Sequence, residues 1–207
     1  MKIGKYELNN IYCEDSYKAI KELPNKCIDC IYTDIPYLME SGGKSDSPLN
    51  QRISKKMFSD IEEIRKGIDY SIFDEFVRVV KNINIFIWCS KLQILDIMNF
   101  FVGKHDCSFE MIVWCKDNPT PQTNNTWLPD VEYCLYFREK GKIKLNDGYD
   151  LKRKWYSSPI NKKDKDLFQH PTIKPLEFVK KHILHTTQEN DIVADFFMGG
   201  GYNCYRL

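Results

Sequence analysis

The sequence predicts an α/β fold built on a mostly parallel sheet, and three observations predict it. Short apolar runs rich in β-branched and aromatic residues alternate with longer amphipathic segments along the chain. These runs are apolar throughout rather than alternating, which is typical of strands covered on both faces. Clusters of proline, glycine and asparagine separate the segments, without internal repeats or low-complexity tracts.

Residues 10–37 (NIYCEDSYKAIKELPNKCIDCIYTDIPY) predict a short strand at their start, then a helix and a buried strand. Either Asp15 or Ser16 can cap the helix, which ends before Pro24. Residues 27–33 form a short apolar run, which predicts the buried strand, and this strand ends at Asp34.

The rest of the chain continues the alternation after a long loop. Residues 38–58 are rich in Gly, Ser, Pro and Lys without any period, which predicts a variable loop. A helix is predicted over about 61–81, with its apolar residues on one face. The later segments are strand INIFIWCS, helix KLQILDIMNFF, strands FEMIVWCK and VEYCLYF, a helix from near Pro175 and strand DIVADFF.

Composition indicates one cytoplasmic domain. A chain of 207 residues can bury one sizeable core, so residues 1–207 are expected to form a single domain. There is no apolar run of about 18 residues and no apolar signal-peptide core, so neither a membrane span nor secretion is expected. Of eight cysteines only Cys27 and Cys30 form a C-x-x-C pair, and no Cys/His set completes a zinc site. Reduced, mostly buried thiols and no metal are expected.

Charge is nearly balanced overall but uneven along the chain. A net charge of +1 gives no global nucleic-acid signature. Residues 140–165, however, hold nine Lys/Arg against three Asp, with Tyr149, Trp155 and Tyr156 interleaved. A solvated loop accounts for the lysines but does not require the aromatic rings. We refer to residues 139–167 as the basic insert.

Two strand ends carry unusual chemistry. Ligands of open α/β sheets bind beyond the carboxyl ends of strands, and here those ends read Asp-Ile-Pro-Tyr after residue 33 and Asp-Phe-Phe-Met-Gly-Gly-Gly after residue 194. The glycines allow close approach to a ligand, and the free N–H groups of a following helix favour an anion-bearing cofactor. A tight strand–helix connection is the alternative interpretation.

The first of these ends fits a planar group that carries an exocyclic amine. A carboxylate and a neighbouring main-chain carbonyl can accept the two amine protons, while an aromatic ring supplies a stacking face. An ordinary turn, with aspartate capping and proline stiffening, is the alternative.

Together these stretches resemble the S-adenosylmethionine-dependent DNA amino-methyltransferases. TDIPY resembles their D-P-P-Y catalytic motif, and VADFFMGGG resembles their V-x-D-P-F-x-G-x-G cofactor loop. Four further stretches resemble family segments in the family's order. In chain order they are YCEDSYKAIKELP, VWCKDNPTP, VEYCLYF and HPTIKP. With the catalytic motif first and the cofactor loop last, the order resembles that of the β class. The resemblance implies a Rossmann-like methyltransferase sheet, mostly parallel with helices on both faces, and incomplete at the C-terminus.

The resemblance also implies roles for individual residues. Asp34 and the Ile35 carbonyl would accept the amine protons, and Pro36 and Tyr37 would complete the catalytic motif, with the Tyr37 ring stacked on the base. Residues implied for binding S-adenosylmethionine are Asp15, Thr172, Lys174, Asp195, Phe197, Gly199 and Gly201. For Lys174 a solvated lysine at a helix start is the alternative.

The substrate that the resemblance implies is a base flipped out of double-stranded DNA. Aspartate at the first motif position fits adenine N6 better than cytosine N4, which is the alternative, as is a catalytically inactive DNA-binding relative. An oxidoreductase would need its glycine fingerprint after the first strand. Residues 38–57 and 140–155 are the candidate DNA contacts, a restriction–modification context is implied, and a homodimer is left open.

Three departures from the family pattern bear on activity. Ile35 and Phe196 each replace a motif proline, so both turns are expected to be less rigid. No acidic residue follows the cofactor loop to bind the ribose hydroxyls. We therefore expect either a truncated family member or a weaker affinity for the cofactor.

Overall fold

A computed structural model describes residues 2–38, 67–119, 121, 127–159 and 174–198. The strands in chain order are β1 (Lys2–Ile3), β2 (Tyr6–Glu7), β3 (Cys30–Asp34), β4 (Asn84–Cys89), β5 (Ser108–Lys116), β6 (Val131–Arg138), β7 (Trp155–Ser158) and β8 (Val193–Ala194). The helices are α1 (Ser16–Ala19) with a following 3₁₀ turn (Ile20–Glu22), α2 (Ile72–Val79), α3 (Ile94–Met98) with a following π-helix (Asn99–Lys104), and α4 (Leu176–Thr186). None of these helices is long and apolar enough to cross a bilayer.

Six strands form one sheet in the order β7-β5-β6-β4-β3-β8, and β1 and β2 form a separate hairpin. β6 runs antiparallel to both of its neighbours, β5 and β4. The pairs β7–β5, β4–β3 and β3–β8 are parallel. The carboxyl ends of the parallel strands therefore meet at one edge of the sheet, and the amino end of β6 lies at that same edge. The prediction of a mostly parallel sheet is confirmed.

Helices cover both faces of the sheet, as predicted. Residues that alternate along β4 point to opposite faces, as the strand period of two requires. Ile85 and Ile87 join the core beneath α2 and α3, whereas Phe86 and Trp88 join the core beneath α4. The strands between the helices are buried on both sides, so their apolar runs are continuous.

The predicted N-terminal strand was placed too late in the chain. The two short strands lie at β1 and β2, and the segment between β2 and α1 has no regular structure. A side chain holds this segment instead of a strand ladder, because the Tyr12 hydroxyl accepts from the Glu7 N–H at 2.6 Å. The Tyr6 and Tyr12 rings also meet edge to face.

The helix predicted over 61–81 is shorter among the described residues. It begins at Ile72, after a turn that Asp69 stabilises. The Ser71 N–H donates to the Asp69 carboxylate at 2.9 Å, as in an Asx-turn. It ends at Val79, because Val80 is extended and forms a parallel bridge with Ile28. Residues 61–66 lie outside the described part of the chain.

Strand β7 lies in the basic insert, for which the sequence pattern predicts no strand. Four residues are too few to show a period, and three charged residues directly precede them. β7 pairs with β5, and its Tyr156 ring packs on Phe178 of α4 with ring centroids 4.3 Å apart. The interleaved aromatic residues were the available signal.

A hydrogen-bonded chain of three side chains crosses the core beneath α4. The Trp88 indole N–H can only donate and reaches the Tyr32 hydroxyl oxygen at 3.0 Å. The Tyr32 hydroxyl proton is thereby directed to Nδ1 of His182, also 3.0 Å away. His182 is 2% exposed, and burial lowers its pKa to about 3. The imidazole is therefore neutral near pH 7.

The neutral state of His182 predicts a loss of stability in acid. The unfolded chain binds a proton at this histidine below about pH 6.5, whereas the folded protein does not. The contribution of His182 to the free energy of unfolding is therefore fully present above that pH and is lost as the pH falls. Between pH 6 and 4 the slope of stability against pH approaches that of one proton, on the order of 1 kcal/mol per pH unit. Urea unfolding of the wild type and His182→Gln at several pH values measures it. Equal slopes for the two proteins would contradict the assignment.

Candidate active site

The candidate site forms where β3 and β8 end side by side. The two strands are parallel neighbours, with Cys30 opposite Val193 and Ile31 opposite Ala194. The segments after both strands therefore emerge at the same edge of the sheet. The Thr33 hydroxyl joins them by donating to Asp195 Oδ1 at 2.7 Å. The two chemically unusual strand ends of the sequence are thus adjacent in space.

Asp34 ends β3 with its two carboxylate oxygens in different environments. Oδ2 accepts a hydrogen bond from the Lys174 ammonium at 2.6 Å. Oδ1 is shielded from solvent and has no hydrogen-bond partner among the described residues. A buried acceptor without a donor is costly, and such atoms in folded proteins call for an explanation. Oδ1 is therefore the atom of this site that has capacity for a ligand donor.

Lys174, which immediately precedes α4, is buried rather than solvated. The residue is 3% exposed, and its ammonium is 2.6 Å from Asp34 Oδ2 and 2.9 Å from Glu132 Oε2. The ammonium also lies 5.2 Å from the ring centroids of both Tyr37 and Trp88, within the range of cation–π attraction. The alternative interpretation of Lys174 as a solvated lysine is wrong.

Four side chains of alternating charge form a row along this edge of the sheet. Glu132 also pairs with Lys116 at 2.6 Å, so the order is Lys116, Glu132, Lys174 and Asp34. Glu132 reaches the site because β6 runs in the reverse direction and brings its amino end to the carboxyl ends of the other strands. The two ammonium groups balance the two carboxylates, which lowers the cost of placing four charges in a partly buried position.

The pKa shifts follow from burial and from these partners. Burial raises the pKa of Asp34, and the Lys174 ammonium opposes that rise. Burial acts in the same direction on Glu132, but Lys174 and Lys116 outweigh it and hold its pKa at about 2. Burial lowers the pKa of Lys174, but the two carboxylates outweigh it and raise the pKa above the usual lysine value. Lys174 is therefore charged near neutral pH.

The turn after Asp34 is fixed by main-chain and side-chain bonds. Ile35 is buried, and its N–H, which a proline would lack, donates to the Trp88 carbonyl at 3.2 Å. The Pro36 carbonyl accepts from the buried amide of Gln93 at 3.0 Å. The partly exposed Tyr37 directs its hydroxyl at Glu132, 3.4 Å away. The expectation that Ile35 loosens this turn is not supported, because the added N–H is used.

The segment after β8 is also held by hydrogen bonds and ring packing. The Phe197 N–H donates to Asp195 Oδ1 at 3.0 Å and to the Thr33 hydroxyl at 3.2 Å. The Phe196 carbonyl accepts a hydrogen bond from the Ser16 hydroxyl. The Phe196 ring stacks on the Phe76 ring of α2, with centroids 5.4 Å apart. Phe196 therefore anchors the segment by packing, although it replaces a motif proline.

The structure places four of the seven predicted cofactor residues. Asp195 and Phe197 lie beside Thr33, and Lys174 contacts Asp34. Asp15 caps α1 by accepting from the Lys18 N–H, one residue before the Ser16 that contacts the Phe196 segment. The other three, Thr172, Gly199 and Gly201, lie outside the described residues.

Several residues of the site were not identified from the sequence: Thr33, Gln93, Lys116 and Glu132. Thr33 lies directly before the motif aspartate, and Glu132 is the second residue of β6, in which the others apart from Arg138 are apolar or aromatic; these were the available signals. Gln93 and Lys116 have no comparable signal, because their roles depend on tertiary neighbours.

Comparison with known proteins gives a consistent family. The family model N6_N4_Mtase, described as DNA methylase, matches residues 28–204. The type II methyltransferase M2.LlaDCHI of Lactococcus lactis subsp. cremoris is 28% identical over 205 residues, which cover 90% of this chain and 76% of that protein. M2.DpnII of Streptococcus pneumoniae is 27% identical over 206 residues, with the same two shares of 90% and 76%.

A solved structure agrees in fold. The crystal structure of the M1.HpyAVI–SAM complex matches with a TM-score of 0.61 and 26% identity, and the match covers 93% of this chain and 84% of that chain. The prediction of a Rossmann-like methyltransferase sheet is therefore confirmed.

The Thr33 link between the two strand ends can be tested directly. Thr33→Val keeps the shape but removes the hydroxyl that bonds Asp195 and Phe197, so we expect a loss of about 1–3 kcal/mol in the free energy of unfolding. The Phe197 amide should also exchange its hydrogen faster. Thr186→Val is the matched control, because the buried Thr186 hydroxyl donates within α4, to the His182 carbonyl, and not to the Asp195 segment. Unchanged exchange at Phe197 in Thr33→Val would contradict the link.

Proposed function

Since this chain belongs to the DNA methylase family N6_N4_Mtase, whose model matches residues 28–204, we propose that it methylates the exocyclic amine of a base in DNA, with adenine N6 as the preferred target. The methyl donor is S-adenosylmethionine, as in the relative solved as a SAM complex. One observation carries the proposal: the solvent-shielded Asp34 Oδ1 has no donor among the described residues, and Asp34 ends β3, the parallel neighbour of the strand β8 whose end resembles the family's cofactor loop.

The residues around Asp195 suit this cofactor. S-adenosylmethionine supplies an activated methyl group on a sulfonium, and it also carries an ammonium, hydroxyls and an aromatic base. Acidic groups at Asp15 and Asp195, together with the ring of Phe197, match that chemistry, and the Phe196 anchor holds them near β3. We assign binding of the cofactor to this group, with Thr172, Gly199 and Gly201 as further residues implied by the motifs.

Asp34 is the proposed acceptor for the target amine. Its Oδ1 would accept one amine proton and the Ile35 carbonyl the other, while Pro36 shapes the turn and Tyr37 stacks on the base. The amine nitrogen gains a methyl group and must lose one proton, and the Asp34 carboxylate is the adjacent base. Geometry dominates such a reaction, since the nitrogen must be held about 3–3.5 Å from the methyl carbon. A base inside a duplex cannot reach this position, so base flipping is part of the proposal.

The basic insert is the proposed DNA contact among the described residues. Tyr149 is 82% exposed, with the Arg153 guanidinium 5.8 Å from its ring, and Trp155 is 59% exposed. Lys152 and Lys154 pair with acids at the surface, and such exposed pairs contribute little stability, so phosphates can replace the acids. Residues 38–57 are the other candidate contact and lie, apart from Leu38, outside the described part.

The proposal extends to the setting of the enzyme. We assign the residues of this chain to one catalytic domain that acts on double-stranded DNA in the cytoplasm, in a restriction–modification context. A homodimer is the assembly to be tested by light scattering. Cytosine N4 is the second candidate target. The inactive DNA-binding relative is suggested by the two lost prolines and by the missing C-terminal part of the family pattern. The bonds made by Ile35 and Phe196 weaken the first of these reasons.

Methyl transfer tests the proposal. The protein is incubated with labelled S-adenosylmethionine and mixed-sequence duplex DNA, and the nucleosides are then separated to identify the methylated base. We expect N6-methyladenine, and we expect Asp34→Asn to lower kcat by about 10²–10⁴-fold because the amide cannot take up the proton.

Asp74→Asn is the control for this substitution. Asp74 is an exposed carboxylate that pairs with Lys104 at the surface, so the same chemical change should leave methyl transfer intact. Equal activity of Asp34→Asn and the wild type would overturn the role of Asp34. DNA retention without any label transfer by the wild type would instead support the inactive relative.

A further inference from the structure

Lys174 is placed to act on Asp34 rather than on the cofactor. An ammonium has three donor hydrogens, and carboxylate oxygens of Asp34 and Glu132 take two of them, at 2.6 and 2.9 Å. Aromatic rings of Tyr37 and Trp88 flank the same group, and the side chain is only 2% exposed. This leaves almost no surface through which another ligand could contact the ammonium.

The position of the ammonium is set by the fold on both sides. Lys174 precedes Pro175, which is the N-cap of α4, and the apolar residues of α4 are buried against the sheet. Glu132 is held in turn by Lys116 at 2.6 Å, with side-chain exposures of only 11% and 16%. A lysine on a solvated helix end would have many rotamers, whereas this one is fixed at its main chain and at its charged end.

We propose that Lys174 is a positioning residue for Asp34. Its ammonium occupies Oδ2, so that Oδ1 alone is presented to the target amine, and Glu132 keeps the ammonium in that place. The inference rests on the proposed function, and it assigns to Lys174 and Glu132 a role different from cofactor binding. A carboxylate with one free oxygen offers fewer acceptor sites than one with both oxygens free, which restricts how the amine can bind.

The same ammonium opposes protonation of Asp34. The titratable groups that face this carboxylate from the surrounding elements are Lys174, Glu132, Tyr37, Tyr32, Cys89 and Cys134. Burial raises the pKa of both tyrosines and of both thiols, that of Cys89 to about 12, so these four are neutral near pH 7. Lys174 and Glu132 are therefore the members of this set whose charge acts on Asp34 near pH 7.

Two substitutions should shift the pH dependence in opposite directions. Asp34 must be ionised to accept the amine proton, so activity is present above its pKa and is lost as the pH falls through it. Lys174→Met removes the opposing positive charge, so the acidic limb of the kcat profile should move to higher pH. Glu132→Gln removes a facing negative charge but keeps an oxygen for Lys174, so the limb should move to lower pH.

The effects on rate and binding separate positioning from cofactor binding. Lys174→Met should lower kcat by about 100-fold, the scale of a misplaced reacting group, and leave the Kd for S-adenosylmethionine, measured by calorimetry, unchanged. Lys104→Met is the control, because Lys104 forms an exposed pair with Asp74, and neither kcat nor the pH profile should change. A weaker cofactor affinity with an unshifted pH profile would show that Lys174 binds the cofactor, and would overturn the inference.

A measurement without turnover keeps the inference separate from the proposed function. Titration of the Asp34 carboxyl by ¹³C NMR should give a higher pKa in Lys174→Met and a lower pKa in Glu132→Gln than in the wild type. If the wild type transfers no methyl group, the proposed function fails while this titration still decides the inference. If Lys174→Met does not fold, Glu132→Gln decides alone, and an unchanged or raised pKa would overturn the inference.

Discussion

The ion pair between Lys174 and Asp34 is the constraint on which the rest of the site depends. A carboxylate enclosed at the end of a parallel strand is costly unless an opposite charge accompanies it. The lysine supplies that charge at 2.6 Å, and it is itself buried only because Glu132 and the rings of Tyr37 and Trp88 surround it. The charge balance of four side chains thus allows one carboxylate oxygen to remain without a donor among the described residues.

The direction of one strand makes this balance possible. In an all-parallel sheet the amino end of β6 would lie far from the carboxyl end of β3. Because β6 is reversed, Glu132 at its start lies at the same edge as Asp34 and Lys116. Among the described strands of this sheet, only β6 is reversed. Its direction brings the Glu132 carboxylate to the site, where an all-parallel sheet would not place it.

The two altered motif positions show how packing can replace a proline. Proline stiffens a turn by fixing φ and removing an N–H. Ile35 obtains a similar result with a buried side chain and an N–H bonded to Trp88, and Phe196 obtains it by stacking on Phe76 and accepting from Ser16. Both turns are thus held by tertiary contacts where the family pattern has a proline.

The sequence by itself determined the α/β class, most of the strands, and the residues at the two informative strand ends, because apolar runs and turn residues are local signals. It did not reveal β7, whose four residues are too few to show a period, or the start of α2, which a side-chain bond from Asp69 sets. Only the tertiary structure decided that Thr33 bonds Asp195, 162 residues away, and that Lys174 is buried against Asp34 and Glu132. Such contacts depend on strand order and direction, which bring together residues that carry no local sign of each other.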